Sequence, residues 1–450
     1  MSLEDLLPDT LDIDLVSDFS HSYSFKNKTV VKTVTVHGVE HERAFPSRGL
    51  DKKDAFAAWW RAFLDNEDQY LFPISDPELS HDSITYVDLF SSVGGLSLGF
   101  EEAVRSLGLK PQPLLAVDID AGALGIHRFN HETTRVVHES VSSLVDFKVV
   151  GQGDVARFAF EPTAIGADIL SLKNKIDVVL AGPPCQGHST LNNYSRGNDP
   201  RNLLYLTVPA LAVALNIPMV IIENVPNVLN DSGNVVESTK SLLIKSGYEF
   251  TGAVLQAHQL GWPQTRKRYF LVATKGHSPV DLTVLSKYME HSALGTGWAL
   301  ENVSVETELT PGHLMNGVAE MSKLNQERID WLFDNDAYEL PNHIRPVCHQ
   351  DGHTYPSVYG RMSWDKPAPT LTTGYVSPGR GRFIHPMERR VLTPREAARL
   401  QGFPNWFNFM PYVDNPSKRG QLAKWVGDAV PSILGYVAGL SALIDRENSV

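Results

Sequence analysis

The sequence predicts an α/β fold, a doubly wound parallel sheet with a smaller lobe inserted late in the chain, and three observations carry that expectation. From Ile84 the chain reads strand, glycine-rich turn, helix: ITYVDLF, then SSVGGLSLGF, then EEAVRSLGL, the order in which nucleotide-binding α/β folds begin. Further buried-strand candidates follow at PLLAVDI (113–119), DVVLAGP (177–183), MVIIENV (219–225) and YFLVAT (269–274), with helical spacings between several of them. Alternating β and α elements imply a parallel sheet covered on both faces. Between about 276 and 375 the periodicity gives way to a stretch dense in His, Pro, Gly and polar residues, which reads as a separate lobe.

Taken in order, the first 80 residues contain a strand candidate, TVVKTVTVHGV (29–39), and an aromatic helix candidate, DAFAAWWRAFL (54–64), without a chemical motif. After the lobe, TPREAARLQGF (393–403) begins a helix with Thr393 as N-cap, Pro394 at the first helical position and Glu396 completing a capping box. A last helix over 430–444 places Val430, Ile433, Leu434, Val437, Leu440 and Ile444 at helical spacing and is expected to pack back on the sheet. The resulting division is an N-terminal extension (1–83), an α/β domain (84–275), a separate lobe (276–385) and a closing segment (386–450).

Composition excludes several classes. At 450 residues the chain is long enough for one large core with an inserted lobe. No apolar run approaches the ~20 residues that span a bilayer, so no membrane is expected. The N-terminus carries Glu4, Asp5, Asp9, Asp12, Asp14 and Asp18 where a secretory signal needs positive charge, which points to a cytoplasmic protein. Two cysteines, Cys185 and Cys348, exclude a disulfide framework and paired CxxC zinc sites. His343, Cys348, His349 and His353 cluster in sequence, but tetrahedral sites use better-spaced cysteines, and no metal is expected. The net charge of -12 conceals an uneven distribution: residues 1–80 hold eight Lys/Arg against fifteen Asp/Glu, whereas residues 375–425 hold nine against three. The later segment is a candidate basic surface for nucleic acid.

Three sites carry chemistry. Asp88-Leu-Phe-Ser-Ser-Val-Gly94-Gly95 places glycines where a strand hands over to a helix, which lets backbone approach a ligand, although it lacks the GxGxxG spacing of a pyrophosphate binder. One strand later, Asp118 and Asp120 end a strand where a carboxylate can accept from ribose hydroxyls. Asp168-Ile169 could face an adenine amino group, with Asp154 as a competing acceptor. Together these favour an adenosine-bearing cofactor. Ala181-Gly-Pro183-Pro184-Cys185-Gln-Gly187 then sets a cysteine in a rigid Pro/Gly loop at the sheet's C-terminal edge, where a thiolate can add to an electron-poor ring carbon.

With Glu223-Asn224-Val225 in the next strand and Gln264-Thr-Arg266-Lys-Arg268 further on, this PPCQG loop resembles the cytosine-C5 methyltransferase family in motif order and spacing. Gly427-Asp-Ala-Val-Pro431 is similar to the segment that closes the family's cofactor pocket, and the resemblance spans about residues 84–445. It implies an S-adenosylmethionine-dependent, Rossmann-like methyltransferase sheet with an inserted target-recognition domain. It further implies that Cys185 adds to cytosine C6, that Glu223 holds the ring nitrogen and amino group, that Arg266 contacts the base carbonyl and that Arg268 supports the loop. Phe90, Gly94, Gly95, Asp118, Ile119, Asp168, Ile169, Pro183, Leu204, Asp428 and Val430 would then form the S-adenosyl-L-methionine pocket. The same resemblance implies double-stranded DNA as substrate, with the target base rotated out of the stack and residues 187–201 as the loop that closes on it. A cognate restriction endonuclease acting on the same site is the implied partner of a monomeric enzyme. Trp364-Asp-Lys-Pro-Ala-Pro-Thr370-Leu-Thr372-Thr373 resembles the regular end of the recognition region.

Two positions depart from the family pattern: His188 stands where Phe is common, and Asp428 where Asn is usual. Asp428 would suit the cofactor's ammonium but not its carboxylate. Two rival readings are a tRNA cytosine-C5 methyltransferase, whose branch carries a short lobe with a Cys-Phe-Thr signature absent here, and a catalytically silent DNA-binding regulator, which the intact Cys185, Glu223 and Arg266 oppose.

Overall fold

The computed structural model describes residues 19–47, 49–67, 82–184, 204–303, 314–350, 357–409 and 419–446. Cys185, His188, the loop expected at 187–201, and His353 lie outside them.

The N-terminal unit is an antiparallel sheet of β1 (Ser20–Lys26), β2 (Thr29–Val36) and β3 (Val39–Pro46), with α1 (Ala55–Asp65) packed on it. The single strand expected over 29–39 is therefore β2 plus a turn, because His37 and Gly38 both take positive φ (50° and 77°) and reverse the chain into β3. Asp54 caps α1 by accepting from the Ala57 N–H at 3.1 Å. The aromatic face of α1 is buried, with Trp60 edge-on to Trp262.

From Ser83 the chain alternates: β4 (Ser83–Leu89), α2 (Gly95–Ser106), β5 (Lys110–Asp118), α3 (Ala121–His131), β6 (Arg135–His138). A short excursion follows, in which β7 (Val145–Asp146) pairs with β10 (Thr163–Ala164) and β8 (Val149–Val150) with β9 (Arg157–Phe158), ending at the one-turn helix α4 (Ala167–Leu170). The alternation resumes with β11 (Val178–Ala181), α5 (Thr207–Leu215), β12 (Met219–Asn224), α6 (Val235–Lys245), β13 (Glu249–Gln256) and β14 (Lys267–Thr274). Seven strands form one sheet in the order β13-β14-β12-β11-β4-β5-β6.

Both faces of this sheet are buried, and the period of two sorts its side chains. Val178 and Leu180 of β11 and Met219 and Ile221 of β12 face the side covered by α2 and the C-terminal helix, while Val179, Ala181, Val220 and Ile222 face α5 and α6. The expectation of an all-parallel sheet is corrected at one edge: β14 runs antiparallel to both β12 and β13. A ten-residue connection, 257–266, returns the chain directly rather than through a crossover helix.

Beyond β14 come α7 (Leu282–Tyr288), α8 (Thr296–Leu300) and α9 (Lys323–Asp334), then α10 (Pro394–Leu400), α11 (Arg419–Asp428) and α12 (Ser432–Leu443). The lobe expected over 276–385 is not uniform. Leu282, Leu285 and Leu300 belong to the main core, whereas Ile329, Leu332, Leu340, Val358, Tyr359 and Ile384 form a small core of their own. The capping box at Thr393 is present in full. Residues 419–443 make the one stretch of helix, among those described, with the length and apolarity to cross a membrane, and 94% of its apolar window is buried within the fold.

The N-terminal unit shares the main core and is tied to it by buried charge. Glu102 of α2 accepts from Arg43 at both oxygens (2.9 Å each) and from Lys32 at 2.5 Å, with Lys32 Nζ 3.9 Å from the Trp59 ring centroid. Part of the cation surplus over 375–425 is spent inside: Arg390 pairs with Glu396, Arg399 with Asp65, and Arg419 donates to the carbonyls of Gly317 and Val318, while Lys424 pairs with Asp428 at the surface. The basic surface expected there is correspondingly reduced.

Candidate active site

A cavity of about 500 Å³ opens at the C-terminal edge of the sheet, where β4 and β11 lie side by side. This is the point at which the strand order reverses, β5 and β6 lying to one side and β12 to the other, and open α/β sheets bind ligands at such points. Every parallel strand contributes the residues that follow it.

The turn after β4 supplies Phe90, Ser91, Ser92 and Gly95. Phe90 and Ser92 take left-handed backbone (φ 57° and 47°), which costs an L-residue about 1–2 kcal/mol and lets the turn close on itself. The Ser92 N–H donates to Asp118 at 2.9 Å. A side chain at Gly94 would collide with the His131 ring, and a Cβ at Gly95 would lie 2.9 Å from the Val430 carbonyl. Close approach of the protein to itself thus calls for both glycines; Gly95 also lines the cavity, and Gly94 is not among the described residues that do.

Beyond β5, Asp118 and Ile119 line the cavity as expected; the Ile119 side chain is 75% exposed into it. Burial raises the Asp118 pKa against the hydrogen bonds it accepts from Ser92 and Asp120 N–H. Asp120 caps α3 and accepts from Trp425 Nε1 at 2.8 Å, which fastens α11 over the cavity mouth. Asp168 and Ile169 are not brought to the cavity. Asp168 lies on α4 with its side chain 72% exposed and pairs with Arg135 at 2.7 Å, while Ile169 packs in the core beneath. Asp154 is exposed on a short turn against α6. The third wall is made instead by Glu139, Ser140 and Val141, which follow β6. Sequence reasoning missed them because β6 is only four residues long; the β-branched pair Val136-Val137 before a Ser cap was the available signal.

Pro183 and Pro184, after β11, line the cavity and end its described wall immediately before Cys185. The loop is held by Gly182 N–H on the Leu89 carbonyl (3.2 Å) and by Asn224 Nδ2 on the Pro183 carbonyl (3.3 Å). Leu204, Asp428 and Val430 also reach the cavity.

Glu223, at the end of β12, is 7% exposed and its pKa is raised: burial outweighs the opposing charges of Arg268 and Arg266. Arg268 Nε lies 2.6 Å from Glu223 Oε1, so the carboxyl is at once ion-paired and driven toward its neutral form. The two arginines have different partners within the protein. Arg266 donates Nη1 to the carbonyls of Leu371 (2.8 Å) and Gly427 (3.1 Å) and Nη2 to that of Asp428 (3.3 Å), clasping three segments together. Arg268, expected to brace the loop, is the one that meets Glu223. Both line the cavity. Thr265 N–H donates to the Ala368 carbonyl and Ala368 N–H to that of Pro263 (2.8 and 2.9 Å), which joins this segment to the 364–373 motif. Asp428 pairs with Lys424 at 2.7 Å, one helical turn away.

Residues 84–437 match the model of a family described as C-5 cytosine-specific DNA methylase. The chain is similar to the Type II methyltransferase M1.BsuMI of Bacillus subtilis (strain 168), 39% identical over 81% of this chain and 82% of that protein. It is also similar to the Type II methylase M.HgiDII of Herpetosiphon aurantiacus, 28% identical over 79% and 94%. In fold it resembles the crystal structure of the Schizosaccharomyces pombe Dnmt2 methyltransferase, with a TM-score of 0.53 at 16% identity over 82% of this chain and 100% of that one.

Proposed function

Since the chain belongs to the C-5 cytosine-specific DNA methylase family, we propose that it methylates carbon 5 of a cytosine rotated out of double-stranded DNA, using S-adenosyl-L-methionine and a transient bond from Cys185. The observation that carries this reading is Glu223: a buried carboxyl with a raised pKa, on the cavity wall that runs into the Pro183-Pro184-Cys185 loop.

The residues present suit the cofactor. Ser91 Oγ is buried in the cavity wall and has no hydrogen-bond partner among the described residues, a state that a polar ligand would relieve. Asp118 is the acceptor for ribose hydroxyls, Ile119 and Val141 are the apolar contacts for a purine, and Leu204 and Val430 complete the wall. Lys424 beside Asp428 answers the departure at that position, since an amino-acid end bearing both charges meets both signs there. When bound, the cofactor supplies an electrophilic methyl group.

The chain's own residues prepare the base to accept it. The Cys185 thiolate adds to C6, and the ring electrons move toward N3 and C5. A protonated Glu223 donates to N3 and takes up the developing charge, which a buried carboxyl does best when neutral. Arg268 holds that carboxyl in register, and Arg266 locks the closing segment against the cavity. Once C5 carries the methyl group, water takes the C5 proton, the C6–S bond breaks with its electron pair returning to Cys185, and N3 gives its proton back to Glu223, which restores the aromatic ring and the free thiolate. The names of the relatives favour a modification enzyme partnered by a restriction endonuclease. Incubation with tritiated S-adenosylmethionine is expected to label duplex DNA, and Cys185→Ser to abolish labelling; label confined to tRNA would overturn the DNA assignment.

A further inference from the structure

The N-terminal unit is tied into the fold at a second place, at the C-terminal end of α1. Asp65, the last residue of that helix, accepts from Arg61 Nε at 2.8 Å through one oxygen and from Arg399 Nη2 at 2.7 Å through the other. Both guanidiniums continue to the end of α8: Arg61 donates to the carbonyls of Trp298 and Glu301, and Arg399 Nε to that of Ala299 at 2.8 Å. The carbonyls of Leu64 and Asn66, at the end of α1, accept from the N–H groups of Asn405 and Trp406 (2.8 and 3.0 Å). Helix ends leave such carbonyls without internal partners, and here they bind α1 to the segment beyond α10.

α8 is the place where the lobe joins the body. The chain leaves α8 into residues 301–313, and on its return Trp364 and Lys366 offer their carbonyls to the first turn of α8, to Gly297 and Thr296 N–H respectively (2.9 Å each). A side chain at Gly297 would collide with the Trp364 ring. A helix of five residues cannot hold its own orientation; its neighbours must supply it. The lobe has a small core of its own, while α8 is seated in the main core through Ala299 and Leu300.

We propose that Asp65 is a positioning residue for target recognition: by joining Arg61 to Arg399 it fixes α8, and with it the Trp364–Lys366 junction through which the lobe meets the body. Residues 19–67 then take part in selecting the DNA site, although they lie away from the cavity. This rests on the DNA-methylating reading above.

The test uses the full chain and unmethylated plasmid DNA at saturating S-adenosylmethionine. It measures KM for DNA, kcat, the ratio of methylation at preferred to single-mismatch sites by bisulfite sequencing, and binding of S-adenosylhomocysteine by calorimetry. Asp65→Ala is expected to raise KM and to lower the site ratio by about tenfold each, with kcat and S-adenosylhomocysteine affinity within about twofold of the parent. Asp65→Glu, which keeps the bridging charge at a half-exposed position, is expected to recover most of the ratio. Should Asp65→Ala not fold, Arg61→Lys carries the same expectation, because it keeps the charge and loses the fork that spans two carbonyls. An unchanged site ratio and KM, or a parallel loss of S-adenosylhomocysteine binding, would overturn the proposal. A parent chain that binds S-adenosylhomocysteine but leaves DNA unlabelled would overturn the functional reading and this inference with it.

Discussion

Glu223 carries two roles in tension. Folding buries it and favours its protonated form, so the stability it contributes is full below its unfolded pKa and is lost as pH rises through the raised folded value. Glu223→Gln imitates the neutral form. Its Tm relative to the parent is therefore expected to climb as pH rises above the ordinary carboxylate range, while kcat falls by at least ~100-fold; a thermal-shift series and a methylation assay check the two halves. Part of this cavity was legible in the sequence: Glu223, Arg266 and Arg268, singled out by motif and spacing, all line it, whereas Cys185 lies outside the described residues. The partners of the arginines were not legible. Which guanidinium meets Glu223 depends on backbone carbonyls at 371, 427 and 428, which any residue supplies and no side chain announces.

Among the elements, α2 and α12 pack with their backbones in close approach at glycines. A Cβ on Gly435 would lie 2.8 Å from the Leu96 carbonyl and one on Gly439 2.8 Å from Ala103 Cβ, while one on Gly99 would overlap the Ser432 carbonyl. Because backbone rather than flexible side chain stands in the way, Gly99→Ala is expected to cost about 3 kcal/mol in denaturant unfolding. Gly420 on α11 faces open space, and Gly420→Ala is expected to gain ~0.5–1 kcal/mol by the same measurement. Period and capping signals predicted α1, α10, α12 and five strands of the central sheet. β6 and β13 escaped them, the first for its length and the second because EFTGAVLQ carries a glycine and half-exposed positions. With β6 unseen, the residues that follow it, Glu139, Ser140 and Val141, went unnoticed as a wall of the cavity.

For the whole molecule, the N-terminal unit is part of one core, and its attachment depends on charge. Lys32 is fully buried, and burial lowers its pKa to about 7 despite Glu102. Above that value the folded chain binds fewer protons than the unfolded one, so stability gained through Lys32 rises with pH up to the lysine's unfolded value. Lys32→Met is expected to flatten the slope of unfolding free energy between about pH 7 and pH 9. Glu102→Gln, which takes the carboxylate from the buried Arg43 guanidinium, is expected to cost about 3–5 kcal/mol; urea titrations across that range measure both. Charge counts could not reveal this attachment, since residues 1–80 sum to an acidic segment while their buried members, Lys32, Arg43 and Arg61, are basic. The reversal of β14 has a consequence for how the chain tolerates change in length. A parallel strand begins at the far edge of the sheet, so only a reversed one can deliver its first residues to the edge where β12 ends. Arg268 reaches Glu223 by strand register, Phe270 lying opposite Glu223 and Tyr269 opposite Asn224. Deleting one residue from the 257–266 connection would leave every motif spelled correctly and turn both guanidiniums to the wrong face. The spacing between motifs is thus as much a part of the active site as the residues within them.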